Sequence, residues 1–154
     1  MNPIHKVTLS LVVAVGALLI LLVPVLFLKD EEPGEREKLQ VLYVNERPVF
    51  TEVVTGREEQ ERGLGGRDTL PIDQGLLFSF SRPDLYPFWM KDMRFPIDII
   101  WMDADLAVVD LAANVAPDSY PEIFHPKAPA SFVLELTAGS VERYGVKIGD
   151  RFRF

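Results

Sequence analysis

The sequence predicts an α+β domain: a mainly antiparallel, curled or barrel-like β-sheet with two short helices, preceded by one transmembrane helix. Three observations predict it. Residues 9–28 contain no charge, and a helix of that length rises about 30 Å, the thickness of a bilayer's hydrocarbon core. From residue 39 onward, roughly seven short runs rich in β-branched and aromatic residues are separated by turn residues. These runs and two helical segments follow in an order with no regular βαβ repeat, which favours antiparallel pairing.

The N-terminal elements come first. Residues 1–8 form a short tail. In the run 9–28, Gly16 and Pro24 are both compatible with a membrane helix. The alternative is a cleaved signal peptide, whose apolar core spans roughly 7–15 residues and ends at small residues. Here the run is longer and ends in Phe27-Leu28-Lys29-Asp30. Lys and Arg show little bias across the span, and the short tail favours an inside N-terminus with the domain outside. Residues 29–38 (KDEEPGEREK) are nearly all charged and read as a linker. Residues 39–154 are enough for one compact domain.

Within that domain, Gln40–Val44 and Val49–Val54 suit strands, with a turn over Asn45–Pro48. Thr55 and Glu58 fit a capping box opening a helix to about Leu64, supported by Glu58 and Arg62 four apart and stopped by Gly65-Gly66. Gly75–Phe80 reads as a strand, followed by turn chemistry over Ser81–Asp84. Another strand starts at Pro87–Met90. Ile97–Met102 is strongly strand-like, and the turn at Asp103-Ala104-Asp105 leads into Leu106–Ala112. The proline-rich stretch 116–130 reads as a long irregular loop. Phe132–Leu136 is a strand, Ala138–Tyr144 a short helix stopped by Gly145, and the terminus IGDRFRF a turn and a closing strand.

Charge and composition narrow the function classes. The chain has no cysteine, which removes disulfides, thiolate chemistry and cysteine-ligated metals. From residue 39 there are 12 Lys and Arg against 18 Asp and Glu, a net charge of −6. Such a domain is a poor partner for nucleic acid or an anionic lipid surface. The histidines, His5 and His125, fall on opposite sides of the predicted span, and no calcium loop, phosphate loop or serine-nucleophile motif is present. No metal and no cofactor is expected.

Five side chains stand out as candidates. On the strand Ile97–Met102, Asp98 is the one polar residue on two otherwise apolar faces, so it requires hydrogen bonds or a cation. Arg67, Lys91 and Arg94 are the candidate cations. Glu135 shares a face with Ser131 and Val133; its simplest reading is a solvent-facing carboxylate on a one-sided strand. In Phe88–Met93, Phe88 and Met90 point to the core, while Trp89 and Lys91 share the other face. Trp89 is either a further core residue or a stacking platform for a flat ligand.

The string Arg62-Gly63-Leu64, Arg67, Gly75-Leu76-Leu77-Phe78-x-Phe80, Phe88-Trp89-Met90-Lys91-Asp92-Met93-x-Phe95-Pro96-Ile97-Asp98-Ile99-Ile100-Trp101, with Val133-Leu134-Glu135-Leu136-x-Ala138-Gly139 and Gly149-Asp150, resembles the bacterial and archaeal family called domain of unknown function 192. The resemblance spans about residues 40–154. It implies a small, β-rich domain, often secreted or membrane-tethered, and no activity. Gly65-Gly66 and Asp92 depart from the family's usual pattern.

Three functions follow. The preferred one is a non-catalytic module at the cell envelope that binds a small molecule, polymer or envelope protein through Arg67, Trp89, Lys91, Asp98 and Glu135. The second is a hydrolase or lyase with Asp98 and Glu135 as a carboxylate pair. In the third, structural or protein-interaction reading, the motif is simply core. The catalytic residues stay unassigned and the balance leans away from an enzyme.

Overall fold

The computed structural model describes residues 39–154. The expected transmembrane helix, tail and linker lie outside the described residues. Among the described residues no helix is long and apolar enough to cross a membrane.

The domain opens with a hairpin, β1 (Gln40–Val44) and β2 (Arg47–Val54). Its two-residue turn places Asn45 and Glu46 at φ 46° and 64°, the left-handed pair that matches the twist of antiparallel strands. Helix α1 (Arg57–Arg62) follows, then β3 (Gln74–Asp84). β2 and β3 run parallel, and α1 supplies the crossover that a parallel pair requires. The chain continues through β4 (Phe88–Trp89), β5 (Ile97–Met102), β6 (Val108–Val115), a 3-10 turn (Pro117–Ser119), β7 (Ile123–Phe124), β8 (Ala130–Thr137) and α2 (Ser140–Tyr144).

Six strands form one mixed sheet in the order β1-β2-β3-β8-β5-β6, and β4 and β7 form a separate ribbon. The architecture is therefore mostly β with two short helices, antiparallel apart from β2/β3, and the sheet is not closed. The expected closing strand at the terminus is replaced by two isolated bridges, Tyr43 with Arg153 and Ala107 with Arg151. Phe152 is buried between them, so the terminus is fastened without a continuous ladder.

Alternation along the central strands builds two cores. Leu77, Ile100, Leu134 and Leu136 face one side with Leu42, Val49, Tyr144 and Phe152. Leu76, Phe78, Ile99, Trp101 and Val133 face the other with Leu64, Phe88 and Met90. Gly75 leaves room where β3 meets β8: a Cβ there would lie 2.7 Å from the Leu136 side chain and 2.9 Å from that of Leu134, and these would have to shift.

Three local expectations are corrected. The capping box does not form: Gly56 occupies the N-cap with no side-chain bond, and the helix ion pair is Arg57–Glu61 rather than Glu58–Arg62. The turn expected at Ser81–Asp84 is strand, because β3 continues to Asp84 with its register to β8 shifted after Ser79. The irregular loop 116–130 contains β7, which needs β4 as a distant partner and so leaves no local signal.

Asp98 belongs to this framework. It is fully buried, and its two carboxylate oxygens accept from Asn114 N–H and Val141 N–H, both at 2.7 Å. Its role is to tie β5 to β6 and to the start of α2. The hydrogen bonds that a buried carboxylate requires thus come from backbone, and Asp98 lines neither of the two cavities described below. Hydrogen bonds to a charged group are worth roughly 1.5–3 kcal/mol each, and removing the acceptor leaves buried N–H groups unpaired. Asp98→Ala is expected to lower stability by about 3 kcal/mol or more, read from the urea midpoint at unchanged m-value.

Candidate ligand-binding site

The face of the sheet that carries Leu76, Phe78, Ile99 and Val133 is overlaid at one end by α1, by the glycine-containing segment after it, and by β4. Between these elements lies a cavity of about 210 Å³. Phe78, Phe80, Tyr86, Phe88 and Trp89 contribute aromatic walls. The rings brace one another: Phe78 meets Phe88 edge-on at 4.9 Å, and Phe80 stacks on Tyr86 at 3.5 Å between centroids. Tyr86 is further fixed through its hydroxyl, which donates to the Arg82 carbonyl, and through its own carbonyl, which accepts from the Trp101 indole. Phe78, Phe80, Tyr86 and Phe88 thus hold one another in place.

Glu135 lines the same cavity. It is only 4% exposed, and its Oε2 is buried with no hydrogen-bond partner. The expectation of a solvent-facing carboxylate is overturned. Val133 of β8 lies in one core and Leu134 and Leu136 in the other, so both faces of the strand are covered and alternation cannot bring Glu135 to water. Gly63 helps to bury it. This glycine ends α1 with φ 53°, and a Cβ on it would stand 3.4 Å from Glu135 Oε2 and from the Phe78 ring. Burial pushes the Glu135 carboxyl up to about 8, against the opposing pulls of the Leu64 N–H and the Arg67 charge. At neutral pH the group is largely the uncharged acid.

Cations ring the opening. Arg57, Arg62 and Lys91 line the cavity with Glu61. Arg57 is neutralised by Glu61 at 2.8 Å, whereas Arg62 and Lys91 have no ion-pair partner among the described residues. These two, with Glu61 and Met93, also border a wider groove whose further wall holds Glu58, Asp92 and Arg94; Arg94 is paired with Asp68.

Of the five candidates, the structure brings Trp89, Lys91 and Glu135 together around this cavity. Trp89 is 38% exposed, so it is a wall residue rather than core. Arg67 is held away by a bidentate pair to Glu52, both bonds 2.7 Å, and that pairing holds Glu52 below the usual carboxylate range despite partial burial. Arg67 reaches Glu135 only through its field. The remaining candidate, Asp98, pairs in register with Leu136, while Glu135 pairs with Ile99. Paired residues share a face and neighbours alternate, so the two carboxylates point to opposite sides of the sheet. The carboxylate-pair hydrolase or lyase is ruled out on that geometry. Among the described residues no group of three or more His, Asp or Glu is arranged to hold a metal ion.

The sequence reading missed Phe78, Phe80, Tyr86 and Arg62 as site residues. Phe78-x-Phe80 and Tyr86-x-Phe88 each put two rings at the alternating spacing that shares one face of an extended chain. That spacing was the available signal.

A family model matches residues 41–154: DUF192, described as "Uncharacterized ACR". The chain belongs to the DUF192 family. No curated protein matches it. The domain is similar to the crystal structure of a protein of unknown function from Novosphingobium aromaticivorans, with 30% identity and a TM-score of 0.70, covering 75% of this chain and 85% of that one. It is also similar to a Sinorhizobium meliloti protein described provisionally as a transcription regulator, with 29% identity and a TM-score of 0.68, covering 73% and 89%.

The buried acid makes this DUF192 domain pH-sensitive in a defined direction. In the unfolded chain Glu135 ionises near 4.5, and in the folded protein near 8. Between these values the folded state holds the extra proton, so the contribution of Glu135 to stability is complete below about 4.5 and is lost as pH rises through 8. Glu135→Gln keeps the shape and removes the titration. Urea unfolding should give equal stabilities for wild type and variant near pH 4.5, and a variant more stable by on the order of a few kcal/mol above pH 8.

Proposed function

We propose that this DUF192 domain is a non-catalytic binding module, held at the outer face of the cell membrane, that takes a single ring-sized apolar group into its aromatic cavity. The observation that carries the reading is the orphaned Glu135 Oε2 beside five aromatic residues, four of them in ring contact with one another. A buried polar atom without a partner costs roughly 1–3 kcal/mol, and such sites in native proteins commonly have a functional reason.

Size sets the class of occupant. An apolar cavity of about 150 Å³ accepts benzene, so 210 Å³ suits one ring with a small substituent. It is below the roughly 300 Å³ at which pockets for drug-sized ligands begin. Acid–base catalysis finds less support, because the other carboxylate that lines the cavity, Glu61, is engaged by Arg57. The net charge of −6 in residues 39–154 also speaks for a small molecule over direct binding of nucleic acid, whatever the related Sinorhizobium protein regulates.

Membrane attachment rests on the uncharged run 9–28. The full chain is expected to stay with membranes through carbonate extraction, and the domain to be cut when protease is added to intact cells stripped of their outer layers. Release by carbonate, or protection from the protease, would contradict the placement.

Binding itself is read from tryptophan fluorescence. Phenol and indole should each quench or shift the emission of the full chain saturably, and Trp89→Ala should abolish that response while leaving the unfolding midpoint within about 1 kcal/mol of wild type, as for an exposed site. A chain that shows no saturable response to any single-ring compound would end the binding reading.

A further inference from the structure

The cavity's polar groups differ with depth, Glu135 being buried and Arg62 and Lys91 exposed, and this arrangement names a ligand class. The account rests on the binding reading above. Deep in the site is an acid, Glu135, with one oxygen unsatisfied. Around it stand the faces and edges of Phe78, Phe80, Tyr86, Phe88 and Trp89. An aromatic enclosure with a carboxyl group inside is the environment that favours an organic ammonium: the ring quadrupoles attract the cation, and the carboxylate accepts its N–H bonds. The opening has the opposite sign. Arg62 and Lys91 line it and have no ion-pair partner among the described residues, and Arg57 is already neutralised by Glu61. A simple cation would have to pass these charges. An extended polyanion would satisfy them but would then meet Glu58 and Asp92 in the adjoining groove.

We propose that the cavity binds a small zwitterion: an ammonium group and the ring or short apolar body that carries it enter against Glu135 and the aromatic walls, and a carboxylate at the other end is held by Arg62 and Lys91. The ammonium meets the Glu135 carboxyl group that lines the cavity, and Arg62 and Lys91 share the one carboxylate. Binding moves one proton. Glu135, largely uncharged in the empty site, ionises as the ammonium arrives and releases its proton to solvent. The charged groups around it are Arg57, Glu61 and Arg62 from α1, Arg67 from the segment after α1, already bound to Glu52, and Lys91 from the segment after β4. The strands on either side present Leu76, Phe78 and Ile99, which do not titrate. Affinity for the ammonium should therefore strengthen as pH rises toward 8.

Calorimetry on the full chain in detergent separates the parts of this proposal. The probes are 4-(aminomethyl)benzoate as the zwitterion, benzylamine without the acid, 4-methylbenzoate without the ammonium, and phenol as a neutral ring. The zwitterion should bind at least about tenfold more tightly than any of the others. Glu135→Gln should remove its advantage over 4-methylbenzoate, and Lys91→Ala, a change at an exposed residue, should reduce its advantage over benzylamine. Proton release, read from the dependence of the heat on buffer ionisation enthalpy at pH 7, checks the same claim in wild type even if Glu135→Gln fails to fold. Equal affinities for the zwitterion and phenol, or no proton released, would overturn the zwitterion and leave the ring-binding cavity standing. No binding of any probe would overturn both.

Discussion

The structure turns on one desolvation. Glu135 lies on the central strand of a six-stranded sheet, and every neighbour that covers it is there for packing: Phe78 from β3, Ile99 from β5, and Gly63 and Leu64 from the end of α1. Water is excluded, the proton is retained, and one oxygen stays without a partner. A leucine at this position would pack without that cost. The fold carries the acid and forms a cavity beside it, which links the packing of the second core to the chemistry of the site.

The remaining elements can be read as support for that arrangement. The parallel pair β2/β3 requires a crossover, and the crossover is α1, which brings Arg57, Gln60, Glu61 and Arg62 to the cavity. Gln60 anchors the helix by donating to the carbonyls of Val54 and Ser79, one at the end of β2 and one within β3. The ribbon β4/β7 pairs Trp89 with Ile123, so the proline-rich segment acts as a clamp for the aromatic wall. On the opposite face, Asp98 ties β5 to β6 and to the start of α2.

Much of the fold was legible because it is local. Strand positions followed β-branched and aromatic runs, and Asp103 serves its turn as expected, accepting from the N–H groups of Asp105 and Ala107. The site was legible only in part. Asp98 and Glu135 give the same signal in sequence, an acid inside an apolar strand, yet one is saturated by two backbone N–H groups and the other keeps one oxygen, Oε2, without a partner. The difference comes from donors at Asn114 and Val141, which are remote in sequence, and from a register that sends the two side chains to opposite faces. Neither can be read from a strand taken alone. Arg67 is engaged elsewhere for a similar reason: its partner Glu52 lies on β2, 15 residues away, and no local rule pairs the two.

The central claim is that Glu135 is uncharged at neutral pH in the folded protein. Carbon-detected NMR of the side-chain carboxyl, assigned by comparison with Glu135→Gln, reads this directly. The account predicts a titration midpoint near 8. A midpoint near 4.3, the ordinary value for a glutamate in water, would show the group to be solvated and charged, and would contradict the account.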